Sequence, residues 1–406
     1  MKILYFHQYF ATPRGAGGIR SYEMARRAVA HGHQVLMVCG SAVHGNTGLS
    51  SPFNNGRRRG YVDGIEVLEF NLAYSNRHGF IRRTAIFFRF ALLSIVVSLT
   101  EEYDLVFATS TPLTAGIPGA FARWLRRKPF VFEVRDLWPE LPRAMGVIRN
   151  PLVLWAMSVL EWVSYRSAVR LVGLAPGIVD GIVRRGVDRA RIALIPNGCD
   201  FDVFPGREAP WRPAGVAPGD LLAVFAGAHG IANGLDAVVD AATELQRRGR
   251  DDIKIVLIGD GKLKPRLQQR AAERGLSDLI FHEPVSKRQL ASLLVATDVG
   301  LQILDNVPAF YDGTSPNKFF DYLAAGLPIL INYPGWLADL VQECQCGYAV
   351  PPESPQAFAD ALEHAAKHRA DLPPMGMRAS HLAHSRFDRE VLADSFVGWL
   401  EGAVPQ

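Results

Sequence analysis

The sequence predicts an α/β protein with two doubly wound parallel sheets, each covered by helices on both faces. Short apolar, β-branched runs alternate along the chain with amphipathic stretches, which is the pattern of parallel strands joined by crossover helices. About eleven such runs are present, more than one doubly wound sheet holds comfortably. The length of 406 residues likewise favours two or three domains over one.

The strand-like runs form two groups, separated by a segment without periodicity. The first group is 3–6, 35–39, 65–70, 105–108, 130–134 and 171–174. The second group is 222–226, 253–258, 279–282, 299–303 and 329–331. Helical periodicity is clearest at 20–31, 237–248 and 264–274. The alternation within each group predicts one parallel sheet per group.

A change of composition marks the boundary between the two groups. The turn residues Pro196, Asn197 and Gly198 precede a stretch, 205–220, with four prolines and three glycines. We place the linker near 197–219 and predict domains at 1–200 and 201–385. The amphipathic segment 386–406 is predicted to form a final helix that returns to the first domain.

Composition excludes several classes of protein. The net charge is +4, from 44 Lys+Arg and 40 Asp+Glu, so the chain is not built to coat nucleic acid. Four cysteines cannot form a disulfide scaffold. The first apolar run stops at His7, too early for an export signal, and no uncharged stretch reaches a continuous apolar span of roughly 20 residues. We therefore expect a cytoplasmic protein without a transmembrane helix.

Two glycine-bearing turns follow the first strand of each group and open a helix. The first contains Gly17 and Gly18, and the second contains His229 and Gly230. Glycines here let backbone N–H groups approach an anion at a positive helix end, although a plain tight turn explains each loop taken alone. The first loop is not a dinucleotide fingerprint, because Arg20 stands where the third glycine would be.

A third element combines a cation and a carboxylate at the start of a predicted helix. Ser315 and Pro316 signal the helix start and Gly326 its end. Lys318 and Asp321, three residues apart, share a face, where they could hold a phosphate and a ribose hydroxyl. The alternative is a surface ion pair worth about 0.3–0.5 kcal/mol.

With these motifs the chain resembles glycosyltransferases of the GT-B fold, specifically retaining enzymes of family 4. The resemblance covers nearly the whole length and includes the first glycine turn, 196–204, 256–261, 298–299 and 315–328. It is nearest to the bacterial branch that builds surface polysaccharides. It implies two Rossmann-like domains that face a central cleft, with a nucleotide-sugar donor, preferably a UDP-sugar, held mainly by the C-terminal domain.

The resemblance also implies roles for individual residues. Asp321 matches the second carboxylate of the family's paired glutamates, which holds the ribose. The first carboxylate should lie at Gly313, which has no side chain; Asp312 is adjacent, and whether it substitutes is open. Sugar contacts would then come from N–H groups near Thr314 and Ser315.

The diphosphate loop also departs from the family pattern. The family often has an arginine and a lysine after the first strand of the second domain, where this chain offers His229 and Asn233. Lys318 therefore becomes the main cation for the diphosphate, assisted by N–H groups at Gly230. We expect no essential metal: Asp200 and Asp202 form a D-x-D sequence, but at the domain junction.

In the first domain, the family's His-Asp pair corresponds to Arg135 and Asp136 at the end of a strand. A salt-bridged strand end would explain them, but we favour a catalytic or substrate role because ligands bind at the carboxyl ends of parallel strands.

The stretch 77–93 is basic and aromatic. Arg82, Arg83 and Arg89 beside a broad apolar face suit a helix at an anionic membrane surface, while a buried helix with a polar edge is the alternative. Basic triplets at 57–59 and 126–128 favour membrane contact.

The leading hypothesis is a retaining hexosyl- or N-acetylhexosaminyltransferase that uses a nucleotide-sugar. Its acceptor could be polyprenyl-linked, with the enzyme peripheral on the inner face of the plasma membrane. A nucleotide-sugar 2-epimerase on the same fold, or a non-catalytic nucleotide-sugar-binding scaffold, remain alternatives.

Overall fold

A computed structural model describes residues 1–15, 18–42, 46–75, 78–204 and 209–404. The chain divides into two compact units. Unit 1 comprises Met1–Asn197, Asp312–Ser315 and Arg389–Gln406. Unit 2 comprises Gly198–Tyr311 and Pro316–Asp388.

Unit 1 contains one sheet and helices on both of its faces. Its strands are β1 (Lys2–Phe6), β2 (Gln34–Ala42), β3 (Arg57–Val62), β4 (Ile65–Tyr74), β5 (Leu105–Thr109), β6 (Phe130–Val134), β7 (Arg170–Gly173) and β8 (Ile192–Leu194). Its helices are α1 (Arg20–Ala30), α2 (Phe80–Thr100), α3 (Gly116–Leu125), α4 (Glu140–Ala144), α5 (Pro151–Ser167), α6 (Pro176–Arg184) and, numbered last in the chain, α15 (Arg389–Glu401).

The sheet of unit 1 has the order β3-β4-β2-β1-β5-β6-β7-β8. All neighbouring strands are parallel except β3, which pairs antiparallel with β4 at the edge. The central strands β5 and β6 are buried along their whole length, as continuous apolar runs predict. Strand β3 begins with three arginines and has every second residue exposed, so it lacks the apolar run that identified the others.

Unit 2 repeats this architecture with six strands. They are β9 (Leu221–Ala226), β10 (Ile253–Ile258), β11 (Leu279–His282), β12 (Val299–Gln302), β13 (Ile329–Ile331) and β14 (Gly347–Ala349). The helices are α7 (Asp236–Arg247), α8 (Lys264–Glu273), α9 (Lys287–Val295), α10 (Pro308–Tyr311), α11 (Asn317–Ala324), α12 (Trp336–Glu343), α13 (Pro355–Lys367) and α14 (Leu372–Arg386).

The sheet of unit 2 is wholly parallel, with the order β11-β10-β9-β12-β13-β14. This is the doubly wound order in which the direction of winding reverses between the first strand and the fourth. In unit 1 the corresponding reversal lies between β1 and β5. Ligands of such sheets bind at the carboxyl ends of the strands beside the reversal, so the loops after β1, β5, β9 and β12 are the first places to look.

Two segments beyond Asn197 also belong to unit 1. The loop Asp312–Ser315 was expected in the second domain, but it belongs to unit 1, where the N–H of Gly177 donates to the carbonyl oxygen of Asp312 at 2.9 Å. The second segment is Arg389–Gln406, which contains the helix α15. Its Phe396 packs edge-on against Phe107 of β5.

Candidate functional site

In unit 2, the loop after β9 is fixed by glycines in the neighbouring loop after β10. Gly259 has φ of +143°, and a Cβ atom there would lie 1.9 Å from the carbonyl oxygen of Gly227. A Cβ atom at Gly261 would lie 2.5 Å from the carbonyl oxygen of His229. Only glycine allows this approach, so the two loops form one rigid surface at the carboxyl edge of the sheet.

Helix α11, which carries Lys318 and Asp321, is anchored beneath this edge by Tyr322. The Tyr322 hydroxyl oxygen accepts the N–H of Ala226 at 3.1 Å and lies 3.2 Å from the carbonyl oxygen of Val224. A Cβ atom at Gly300 of β12 would lie 2.6 Å from the Tyr322 ring, so the helix packs directly on the strand backbone. The predicted helix with Lys318 in its first turn is therefore present and rigidly placed.

Lys318 lies against the glycine-bearing loop. Its Nζ donates to Oδ1 of Asn233 at 2.9 Å and sits 4.9 Å from the centre of the Phe225 ring. Loss of water around the ammonium group lowers the pKa of Lys318 to about 8. Among the described residues no carboxylate contributes to this shift, so the positive charge of Lys318 is not neutralised by a neighbouring side chain.

His229 is fully buried in the same loop, between the rings of Phe225 and Phe281. Within the described residues, neither ring nitrogen has a hydrogen-bond partner. Burial, together with the charge of Lys264, lowers the pKa of His229 to about 4, so the ring is neutral near pH 7. A neutral imidazole offers one donor and one acceptor. Gly230 follows, with open space where a side chain would be.

Asp321 is buried on α11 and shares a lysine with a second carboxylate. Lys287 Nζ lies 3.5 Å from Oδ1 of Asp321 and also donates to Asp200. Asp200 is thus engaged by a cation. Among the described residues, no cluster of three His, Cys, Asp or Glu could hold a metal ion.

Two lysines that the sequence analysis did not select support this edge of unit 2. One is Lys287, described above. The other is Lys264, whose buried Nζ donates to the carbonyl oxygens of Gly259 and His282 and to the Glu283 carboxylate. Lys264 thereby fixes the loops after β10 and β11. The signal for both was their position in the first turn of a helix that follows a strand.

In unit 1, Arg135 and Asp136 follow β6, as predicted, and meet residues from two other strand ends. Arg135 Nη1 lies 3.5 Å from Nε2 of His7, directly after β1. The hydroxyl of Thr111, just after β5, donates to Asp136 at 3.4 Å. Desolvation raises the pKa of Asp136, although the charge of Arg135 opposes the shift. The carboxyl ends of β1, β5 and β6 therefore meet at one polar surface.

His7 and Gln8 are polar residues at this edge that the sequence analysis did not assign to the site. Both are almost completely buried. Within the described residues, His7 Nδ1 and both atoms of the Gln8 amide lack hydrogen-bond partners. Buried polar groups in folded proteins are normally paired, so these three atoms mark a place for a ligand or for ordered water. The sequence could have identified them by their position, because they are polar residues directly after a buried parallel strand.

A buried ion pair supports the edge from below. Arg20 Nη2 lies 2.8 Å from Oε2 of Glu133, and the same guanidinium donates to the carbonyl oxygens of Ile195 and Pro196. Burial alone would raise the pKa of Glu133, but the charge and hydrogen bonds of Arg20 keep it below its usual value. Arg20, which breaks the dinucleotide fingerprint, is therefore a structural residue.

The remaining predicted site residues divide between described and undescribed parts of the chain. Gly17 lies outside the described residues, and Gly18 is exposed immediately before α1. Ser315 Oγ accepts the N–H of Asn197 at 3.0 Å, and the Asn197 amide donates to the Ser315 carbonyl oxygen. Thr314 is half-buried beside it, so this short loop is attached to unit 1.

The three arginines of α2 are not equivalent. Arg82 and Arg89 are exposed, whereas Arg83 is half-buried with its guanidinium 5.8 Å from the centre of the Tyr74 ring. The basic triplet at 57–59 is no free cationic patch, because Arg58 and Arg59 form ion pairs with Glu69 and Glu66. Across the described residues, no helix combines the length and apolarity needed to cross a bilayer.

Comparison with known proteins agrees with this architecture. The family model described as "Glycosyl transferase 4-like domain" matches residues 15–198, and the model described as "Glycosyl transferases group 1" matches residues 220–368. Each covers one of the two α/β units. The chain therefore has the GT-B fold, and it belongs to family 4 of the glycosyltransferases.

Its relatives share part of the sequence and the solved structures share the fold. The chain is 32% identical over 209 residues to the D-inositol 3-phosphate glycosyltransferase of Nocardia farcinica, which is 49% of this chain and 45% of the relative. It is 28% identical over 239 residues to the putative colanic acid biosynthesis glycosyl transferase WcaI of Escherichia coli, 56% of each. The chain thus spans about half the length of the curated relatives it matches.

Two structures illustrate the fold match over the full length. Anabaena HepE, solved in complex with UDP and glucose, superposes with a TM-score of 0.69 at 16% identity, covering 99% of this chain and 100% of that one. Sucrose-phosphate synthase from Thermosynechococcus elongatus gives 0.75 at 17% identity, covering 99% and 98%.

Proposed function

We propose that this protein is a retaining glycosyltransferase that transfers a sugar from a UDP-sugar to a lipid-linked acceptor in the synthesis of a cell-surface polysaccharide. The observation that carries the proposal is Lys318, whose ammonium group lies at the glycine-fixed loop with an uncharged side-chain partner, Asn233. A cation held in this way at the carboxyl edge of a doubly wound sheet suits a diphosphate. Solved structures of the same fold in complex with UDP support the choice of nucleotide.

Different residues of unit 2 bind different parts of the donor. Lys318 binds the diphosphate and stabilises the charge that develops on it as the sugar leaves. Neutral His229 donates a hydrogen bond to a phosphate oxygen or a sugar hydroxyl, and the N–H groups around Gly230 assist. The Asp321 carboxylate accepts the ribose hydroxyls. No metal is needed.

The acceptor is bound at the polar edge of unit 1. Arg135 and Asp136 orient its hydroxyl group for attack on the donor C1 atom from the face that the diphosphate occupies. The bond from C1 to the diphosphate oxygen breaks as the bond from C1 to the acceptor oxygen forms. The acceptor proton passes to the departing phosphate oxygen, so the configuration at C1 is retained. Such a course depends on positioning and charge stabilisation more than on a strong base.

The test is a product analysis with a panel of UDP-sugars and cell-envelope lipid extract. We expect one sugar to appear on a lipid with its anomeric configuration unchanged, as shown by mass spectrometry and NMR. Lys318→Ala should abolish the product, and Lys367→Ala, a lysine exposed on α13, should not. A free epimer formed without acceptor would identify an epimerase, and UDP-sugar binding without any product would identify a scaffold; either result overturns the proposal.

A further inference from the structure

Three helices of unit 1 lie side by side on one face of its sheet. Helix α2 connects β4 to β5, α3 connects β5 to β6, and the segment containing α5 connects β6 to β7. Each connection runs in the same direction across the sheet, so right-handed crossovers place all three helices on the same face. Helix α3 packs against both α2 and α5. Their outer surfaces are therefore continuous, and we call them the three-helix face.

Large apolar side chains are exposed along this face in regular stripes. On α5 the exposed residues follow helical spacing, and Trp155 and Trp162 are 67% and 53% exposed. On α3, Trp124 is 59% exposed. The full set is Phe80, Ile81, Phe88, Leu92, Val96 and Leu99 on α2, Phe121, Trp124 and Leu125 on α3, and Leu152, Trp155, Val159 and Trp162 on α5. Single exposed apolar residues are ordinary, but a contiguous patch of this extent marks an interaction surface.

The charges on the three-helix face are almost all positive. The three helices carry five arginines and one carboxylate, and that carboxylate, Glu161, is buried and paired with Arg185. The exposed arginines on and beside the face form no ion pair within the described residues, so their charges are uncompensated. They are Arg82, Arg89, Arg123, Arg127, Arg143, Arg149 and Arg166.

An open groove adjoins the amino-terminal end of α5. Its volume is about 580 Å³, and Arg143, Arg149 and Trp155 are among the residues that line it. Both arginines are exposed, and Arg149 is held by a hydrogen bond from its Nε to the carbonyl oxygen of Gly146. Two guanidinium groups beside an exposed tryptophan match the phosphate and the upper acyl region of a phospholipid.

The charge pattern favours a bilayer over a second copy of the chain. A two-fold dimer through this face would bring like-charged arginines together, which is destabilising. A surface of anionic phospholipid attracts every one of them, and tryptophans are enriched where membranes meet water. Apolar stripes flanked by arginine are typical of helices that lie in that interface.

We propose that the three-helix face docks the protein on an anionic phospholipid bilayer, with the tryptophans of α3 and α5 in the interface and a lipid phosphate in the groove at Arg143 and Arg149. The proposal deepens the proposed function, because it names the surface through which a lipid-linked acceptor is reached. It extends the contact from α2, the helix that the sequence analysis selected, to α3 and α5.

The first arm of the test measures the apolar contact. Wild-type protein should cosediment with phosphatidylglycerol vesicles and not with phosphatidylcholine vesicles. Trp155→Gln with Trp162→Gln should lower the partition coefficient at least tenfold and remove most quenching of tryptophan fluorescence by brominated lipid. Met377→Gln with Val391→Gln is the matched control, since these residues are exposed to a similar degree, 67% and 60%, outside the face. The control should bind as wild type does.

The second arm measures the charge contribution. Arg82→Glu with Arg89→Glu should lower binding about thirtyfold at low salt, and less as salt rises. Arg288→Glu with Arg386→Glu, two exposed arginines of unit 2, should have little effect. Arg83 is left unchanged because its guanidinium is packed on Tyr74.

Three results would overturn the docking proposal. The first is that the wild type does not bind phosphatidylglycerol vesicles at low salt. The second is that the control variants lose as much vesicle binding as the variants of the three-helix face. The third is that light scattering shows a dimer of the wild type and a monomer of the tryptophan variant. Calorimetric titration of the same samples with UDP keeps the two proposals separate. If the wild type does not bind UDP, only the donor assignment is contradicted, whether or not the protein binds vesicles.

Discussion

In unit 1 the first strand of the sheet ends at His7 and Gln8, whereas in unit 2 it ends at the loop from Gly227 to Gly234. The loop of unit 2 is held by backbone contacts that only glycine permits, including Gly234, whose absent Cβ would lie 2.6 Å from the Cα of Asp305. At the edge of unit 1, the side chains of His7 and Gln8 are buried, and His7 Nδ1 and both polar atoms of the Gln8 amide lack hydrogen-bond partners within the described residues. One edge is fixed before any ligand arrives, and the other has unmet hydrogen-bonding capacity.

The difference suits the two substrates of a transferase. A nucleoside diphosphate presents the same charged group whichever sugar is attached, so a rigid loop with one well-placed cation binds it at little entropic cost. Acceptors differ between family members, and in the proposed function their recognition falls to side chains such as His7 and Arg135. In that proposal, the donor is bound by a loop fixed through backbone geometry, and the acceptor by side chains on a comparable frame.

The largest effect should come from the ion pair beneath the edge of unit 1. Arg20→Leu leaves Glu133 as an uncompensated buried charge, so we expect a loss of about 3–5 kcal/mol in the free energy of unfolding of unit 1. Chemical denaturation measures it. Arg26→Ala removes the exposed pair with Glu23 and should change stability by less than about 0.5 kcal/mol. If both variants lose the same free energy of unfolding, burial of the Arg20–Glu133 pair does not increase the cost of breaking it.

The next largest effect concerns the cation of unit 2. Lys318→Ala should weaken UDP binding by about thirtyfold, which corresponds to the ~2 kcal/mol of a charge-assisted hydrogen bond. Uridine affinity should be nearly unchanged, because the phosphate is the partner. Calorimetric titration of both ligands tests this, with Lys367→Ala as control. If UDP and uridine lose similar amounts of affinity, Lys318 does not contact the diphosphate.

The pH dependence of UDP binding tests the same lysine without a mutation. The pKa of Lys318 is lowered to about 8, so the unliganded enzyme loses this positive charge as pH rises through 8. Since only the charged form attracts the diphosphate, UDP affinity should fall roughly eightfold between pH 7.5 and 9, from the change in protonated fraction alone. Lys318→Arg should bind UDP with no such decline, because arginine stays protonated. A flat wild-type profile would contradict the assignment.

Sequence alone predicted the parts of the fold that rest on local pattern. Every apolar run assigned as a strand is a strand, because a buried parallel strand must be continuously apolar. The strands that escaped, β3, β8 and β14, lie at the sheet ends, and β3 is rich in arginine. An edge strand pairs on one side only and is less buried. Its sequence is therefore less constrained, and the continuous apolar run that identifies a buried strand is less marked.

The sequence allowed candidate site residues to be selected, but it did not show which residues contact them. The spacing of Lys318 and Asp321 indicated a shared face, yet Asn233 and Lys287, which contact them, are distant in sequence. Nothing in the run of arginines on α2 distinguished Arg83, whose direction is set by packing against Tyr74. Which side chain turns inward depends on the neighbouring element, and one sequence does not contain that information.

The smallest expected effect tests whether Asp321 reaches the nucleotide or only supports the edge of unit 2. If its carboxylate accepts the ribose hydroxyls, Asp321→Asn should weaken UDP and uridine alike by about fivefold, or ~1 kcal/mol, since the amide keeps one acceptor oxygen. Stability should fall by a similar amount, because Lys287 loses one of its two carboxylates but keeps Asp200. Asp200→Asn is the matched control, which removes the other carboxylate of Lys287. It should reduce stability to a comparable degree while UDP affinity stays the same. If the two variants lose UDP affinity equally, Asp321 acts on the nucleotide only through Lys287, and the ribose contact must be sought elsewhere on unit 2.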